Sequence, residues 1–130
     1  MGRVETFALG ILSLAGSLAA GPKSAFDLAL LEAQRNARRP SGHAFEATVG
    51  KGFSATYAGR VSACGREVKD PDLRDFEVVL KLSLNGGIED VLVRPETNVA
   101  ACLREVLLGG SLPAPETANY WVRVGLKLER

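Results

Sequence analysis

Histidine, methionine and tryptophan occur once each in this chain, and cysteine only twice. A zinc site needs about four nitrogen or sulfur ligands at recognisable spacing. His43, Cys64 and Cys102 leave that set short, so neither metal nor cofactor is expected. An excess of one charge is also missing. Sixteen basic residues face fifteen acidic ones, for a net charge of +1, and bulk charge therefore gives no reason to expect nucleic acid as a partner. No nucleophile, base and orienting group stand together. His43 with Glu46 reads as a helix start, and Asp70-Pro71-Asp72 reads as a turn. The chain is not expected to be an enzyme.

What is present suffices for one small domain and an N-terminal appendage. The 130 residues are 46% hydrophobic, enough to build a packed core. The run from Phe7 to Ala20, FALGILSLAGSLAA, carries no charge. It is shorter than the ~20 residues of a membrane-spanning helix and matches the apolar region of a secretory signal peptide. Ser17-Leu18-Ala19 supplies small residues for cleavage, and a cut after Ala20 also fits. Glu5 offsets Arg3, so the basic end of such a signal is weak. The other reading is a buried N-terminal helix of a cytosolic protein. No cysteine lies near the cleavage site, which argues against a bacterial lipoprotein.

Two helical patterns follow. Over Ser24 to Arg38, Phe26, Leu30 and Ala33 recur at helical spacing, with Leu28 and Leu31 widening the stripe. Ser24 is the expected N-cap, and Asp27 suits the first turn. Arg35, Arg38 and Arg39 read as a solvated helix end. Pro40-Ser41-Gly42 is expected to stop this helix. Then Phe45, Val49, Phe53, Tyr57, Val61, Cys64 and Val68 form one continuous apolar face. Ser41 is its expected cap, and Gly50 and Gly52 mark a place where it could bend or break.

The remainder alternates. Asp75 to Leu84 places Phe76, Val78, Leu80, Leu82 and Leu84 on one face of a strand. Asn85-Gly86-Gly87 is a hairpin signal, and Ile88 to Arg94 is the returning strand. Thr97 or Asn98 caps a short helix over Val99 to Leu108, and Gly109 closes it. Pro113-Ala114-Pro115 is a stiff connection. Asn119 to Leu128 is the last strand. Tyr120, Val122, Val124, Leu126 and Leu128 share one face, and Trp121, Arg123, Gly125 and Lys127 share the other.

The expected fold class is α+β. An α-β-β-α-β core folds into a three-stranded antiparallel sheet with its helices on one face, preceded by an extra N-terminal helix. Cys64 and Cys102 would then sit on the two core helices, both facing inward. In an exported chain they form a disulfide; in a cytosolic one they are two small buried hydrophobes.

The pattern from Tyr57 to Leu128 resembles the TonB C-terminal domain superfamily. Phe76-x-Val78-x-Leu80-x-Leu82 and Asn85-Gly86-Gly87-Ile88-x-x-Val91-x-Val93 are similar to the V-x-F-x-I-x-x-x-G-x-V hairpin of that superfamily. Val99-Ala100-Ala101-Cys102-Leu103 is similar to the helix that follows. Leu112-Pro113-Ala114-Pro115 stands where members carry F-P-x-P before the closing strand. Some envelope proteins of this type carry a cysteine on each helix, as here. The chain lacks the long proline-rich spacer of TonB itself, and Arg94-Pro95-Glu96-Thr97 replaces the usual Ser-Ser. The resemblance therefore implies a small freestanding member: residues 1–20 a signal peptide, 21–42 an N-terminal helix and linker, and 43–130 the TonB-like domain.

It also implies a non-enzymatic role in the periplasm or cell envelope, or as a secreted protein. The domain is expected to act as a protein-interaction module, its edge strand pairing with an extended segment of an envelope protein. Tyr120, Trp121, Arg123 and Lys127 are the candidate partner-binding residues, an aromatic group beside cations. The competing reading packs Trp121 against the N-terminal segment. An alternative role is that of a structural or assembly factor of an envelope complex. No stable membrane span is expected after processing.

Overall fold

The computed structural model describes residues 23–128, so the expected signal peptide lies outside the described residues. The element order is α1 (Ala25–Ala37), α2 (Pro40–Glu67), β1 (Phe76–Leu82), β2 (Ile88–Arg94), α3 (Asn98–Leu107) and β3 (Tyr120–Leu126). The class is α+β; the described residues form three helices and a three-stranded antiparallel sheet in the order β2-β1-β3.

β1 is the central strand, and it sends buried apolar side chains to both of its faces. Phe76, Val78, Leu80 and Leu82 turn to one side and are buried with Val49, Phe53 and Tyr57 of α2 and Val99 and Leu103 of α3. Val79 turns to the other side and is equally buried, against Phe26, Ala29 and Ala33 of α1. The two core helices cover one face as expected. The extra helix covers the opposite face, which makes the molecule three layers rather than two.

Each helix has a local cause. In α1, Ser24 and Asp27 form a reciprocal capping box: the Asp27 N–H donates to Ser24 Oγ at 3.1 Å, and the Ser24 N–H donates to the Asp27 carboxylate at 3.3 Å. The helix buries Phe26, Ala29, Ala33 and Asn36, a stripe at spacings of three and four. In α3, the Thr97 hydroxyl accepts the Ala100 N–H at 3.0 Å, which satisfies one of the helix's free donors.

The expected stop at Pro40-Ser41-Gly42 is corrected: these residues begin α2. Proline is favoured in a first turn, where its missing N–H costs nothing, and Pro40 stands there. Ser41 does not cap the helix; its hydroxyl donates to Glu116 at 3.1 Å. Only Arg38 and Arg39 separate α1 from α2. That reversal is tight enough that a Cβ on Gly42 would lie 1.8 Å from the Asn36 carbonyl oxygen.

No break occurs at Gly50 or Gly52, and α2 runs unbroken for 28 residues. Packing overrides the weak intrinsic propensity of the glycines. Val49, Phe53, Tyr57 and Cys64 anchor the helix on the core. The Tyr57 hydroxyl accepts the Ser111 N–H at 3.1 Å and donates to the Ser111 carbonyl at 3.3 Å.

Cys64 of α2 is joined to Cys102 of α3 by a disulfide, with Cα atoms 5.8 Å apart. The link ties together the two helices on the same sheet face. Asn98 closes the adjoining corner. Its side chain accepts the Asp72 N–H at 2.8 Å and donates to the Lys69 and Asp70 carbonyls, each at 3.0 Å. Among the described residues no helix is long and apolar enough to cross a membrane.

Candidate interaction edge

β3 is an edge strand, and its backbone decides what it offers. Backbone groups of an antiparallel strand alternate between its two sides. The Ser83 N–H donates to the Gly87 carbonyl on the β2 side at 2.9 Å, so odd-numbered residues of β1 face β2 and even-numbered ones face β3. In the observed register Leu80 stands opposite Val122, Val78 opposite Val124 and Phe76 opposite Leu126. Those even-numbered residues of β3 therefore bond to β1. The N–H and C=O groups of Trp121, Arg123 and Gly125 point outward.

The outward carbonyl of Trp121 is satisfied, because the side-chain amide of Asn36 donates to it at 3.0 Å. Beyond it, among the described residues, no hydrogen bond reaches the outward backbone groups of Arg123 or Gly125. The other edge is better protected. Ile88 of β2 exchanges hydrogen bonds with Gly109 and Gly110 at 3.1 and 2.8 Å, and the Asp90 carboxylate accepts the Val91 N–H at 2.8 Å. A carboxylate set on an edge is one way sheets discourage unwanted pairing.

α2 runs alongside β3. At one end Phe45 packs edge-to-face on Tyr120, with centroids 5.1 Å apart. At the other, a groove of about 580 Å³ separates the flank of α2 from Leu126 and Leu128. Ser54, Ala58, Ser62 and Gly65 keep that flank low, and Phe53, Val61 and Leu73 supply apolar walls. Arg66 and Lys127 stand at its rim.

The four expected contact residues divide. Tyr120 belongs to the core, 7% exposed, and burial raises its hydroxyl pKa above the ordinary tyrosine value. Trp121 is half-buried and packs against the α1 layer, which is the competing reading of that residue. Arg123 and Lys127 are exposed; Arg123 lies 3.8 Å from Glu77 on β1. The groove-forming flank of α2 escaped the sequence reading. Its only signal was the row of small side chains at positions 54, 58, 62 and 65, which reads in isolation as a weak helix surface.

The titratable groups considered for chemistry are dispersed. His43 is exposed in the first turns of α2, and the Asp72 carboxylate is bound by Arg74 at 2.7 Å. Among the described residues no three His, Cys, Asp or Glu side chains come together as a metal site. No family model matches the chain, and neither a curated protein nor a solved structure matches it.

Proposed function

We propose that this chain is a non-enzymatic protein-interaction module of the bacterial cell envelope, built on a fold of the TonB C-terminal type. It binds an extended segment of another envelope protein as a fourth strand along β3. The observation that carries this reading is the outer edge at Arg123 and Gly125, unpaired among the described residues and lying beside the apolar groove of α2. An added strand there gains backbone hydrogen bonds from β3, and its alternate side chains enter the groove. The β2 edge, closed at Ile88 and Val91, offers less. The Cys64–Cys102 disulfide supports an oxidising compartment, and the antiparallel sheet with two helices on one face supports the resemblance drawn from the hairpin and Leu112-Pro113-Ala114-Pro115.

The test is site-specific photo-crosslinking in the native host. A photoreactive side chain at Arg123 or Lys127 is expected to capture a discrete partner, while one at exposed Glu105 on α3 is not. Gly125→Pro removes an outward N–H without touching a bond to β1 and should abolish the adduct. Capture from α3 alone, or an adduct indifferent to Gly125→Pro, rules out pairing along β3.

A further inference from the structure

The charges along the open edge restrict what can pair with it. Arg123 and Gly125 fall on the sheet face opposite the groove, Val124, Leu126 and Leu128 fall on the groove face, and Lys127, just past the strand, borders both Gly125 and the groove. Glu77 lies 3.8 Å from Arg123 on the β1 side, Asp75 and Glu77 also border the space beside Gly125 and Lys127, and a planar guanidinium can serve a second carboxylate. Lys127 is exposed just past the end of β3, and Arg66 adds a third cation at the groove rim. A second copy of this chain is disfavoured as the occupant. Any symmetric pairing along so short an edge gathers Arg123 and Lys127 of both copies on one face, and like charges in cross-strand positions destabilise a sheet. Gly125 leaves open space above the sheet between the two cations; no atom lies within 4 Å of where its Cβ would stand.

We infer that the β3 edge selects an extended segment of a different protein with the pattern acidic–apolar–aromatic–apolar–acidic. This rests on the edge-pairing reading above and names the partner's chemistry. Residues directly opposite one another in paired strands share a face. Acidic residues therefore stand opposite Arg123 and Lys127, and an aromatic ring covers Gly125. The apolar positions opposite Val124 and Leu126 enter the groove against Phe53 and Val61. The pattern is a palindrome, so it fits a parallel or an antiparallel strand. The cationic edge thus excludes self-association by the same charges that recruit the partner.

The test uses the full chain and two synthetic peptides, Ser-Glu-Val-Tyr-Val-Glu-Ser and Ser-Lys-Val-Tyr-Val-Lys-Ser. Affinity is measured by titration, and the site is located from backbone amide shifts. At low salt the acidic peptide is expected to bind about tenfold more tightly than the basic one, with amide shifts centred on Arg123 and Gly125. The gap should narrow as salt rises. In the double variant Arg123→Gln with Lys127→Glu, which sets no carboxylate against Glu77 at position 123, the preference should invert while the melting temperature stays close to wild type. Equal binding of both peptides at β3 would overturn the charge rule and leave edge pairing intact. Absence of binding by either peptide, or self-association of the chain through β3, would overturn the inference; the crosslinking pattern then decides separately whether edge pairing itself survives.

Discussion

Asn36 of α1 donates its side-chain amide to the backbone carbonyl of Trp121 at 3.0 Å, across 85 residues of sequence. The bond joins the outer helix to the edge strand, and Asn36 is among the few buried polar side chains. It also sets where the open edge begins, because the next outward groups belong to Arg123. Asn36→Ala leaves a part-buried carbonyl without its donor and should cost about 1 kcal/mol. Chemical denaturation measures this, and an unchanged midpoint would show that the bond contributes nothing.

Hydrogen exchange should report the edge directly. Val122 and Val124 bond to β1, whereas Arg123 and Gly125 face outward. Amide protons of the latter pair are expected to exchange at least about tenfold faster than those of the former. Uniform protection along β3 would mean that the strand edge is covered.

The start of α1 should be sensitive to acid. Asp27 accepts a 2.7 Å hydrogen bond from Arg94 and a second from the Ser24 hydroxyl at 3.0 Å, and these hold its pKa below the ordinary carboxylate value. A carboxylate with a depressed folded pKa contributes stability that is present above its unfolded pKa of about 4 and is lost as pH falls through the folded value. Stability of the wild type should therefore fall more steeply below about pH 4 than that of Asp27→Asn. Parallel pH profiles of the two proteins would remove this pair from the account.

Breaking the disulfide should loosen the helix layer without erasing the fold. The bridge spans a sequence separation of 38, for which loop entropy in the unfolded chain corresponds to about 3–4 kcal/mol. Replacing Cys64 and Cys102 together by alanine is expected to lower the melting temperature by more than about 10 °C. Both residues lie against the main core, and the sheet should persist by circular dichroism.

Two glycines should respond with opposite sign. Gly86 holds a left-handed backbone (φ +89°), and a Cβ there would lie 2.1 Å from the Leu112 carbonyl oxygen. Gly86→Ala is expected to cost about 2 kcal/mol or more. Gly59 lies inside α2 with open space around it, so Gly59→Ala should stabilise by about 0.5–1 kcal/mol. Thermal melts of the two variants make the comparison.

Elements and their order were legible wherever period and punctuation agreed. Strict alternation from Phe76 to Leu82, the Asn85-Gly86-Gly87 turn and the Thr97 cap all recur in the structure within a residue or two of their expected bounds. These signals are local, and they placed both cysteines on inward helix faces, while the disulfide between them is decided by the structure. The Pro40-Ser41-Gly42 stop failed for a different reason. The same residues can end one helix or begin the next, and only the packing of α1 against α2 selects between these.

What the amino-acid order determined by itself is the set of amphipathic pieces and the turns between them, because each depends on neighbours within a few residues. The tertiary structure alone decided that α1 covers the second face of the sheet over Val79, that Tyr120 belongs to the core while Arg123 and Lys127 remain outside, and that the small flank of α2 lies beside the outer edge of β3. A residue's neighbours across the fold are set by which faces close on one another. Burial of apolar surface drives that closure without direction, and a one-dimensional pattern does not encode which pairing wins.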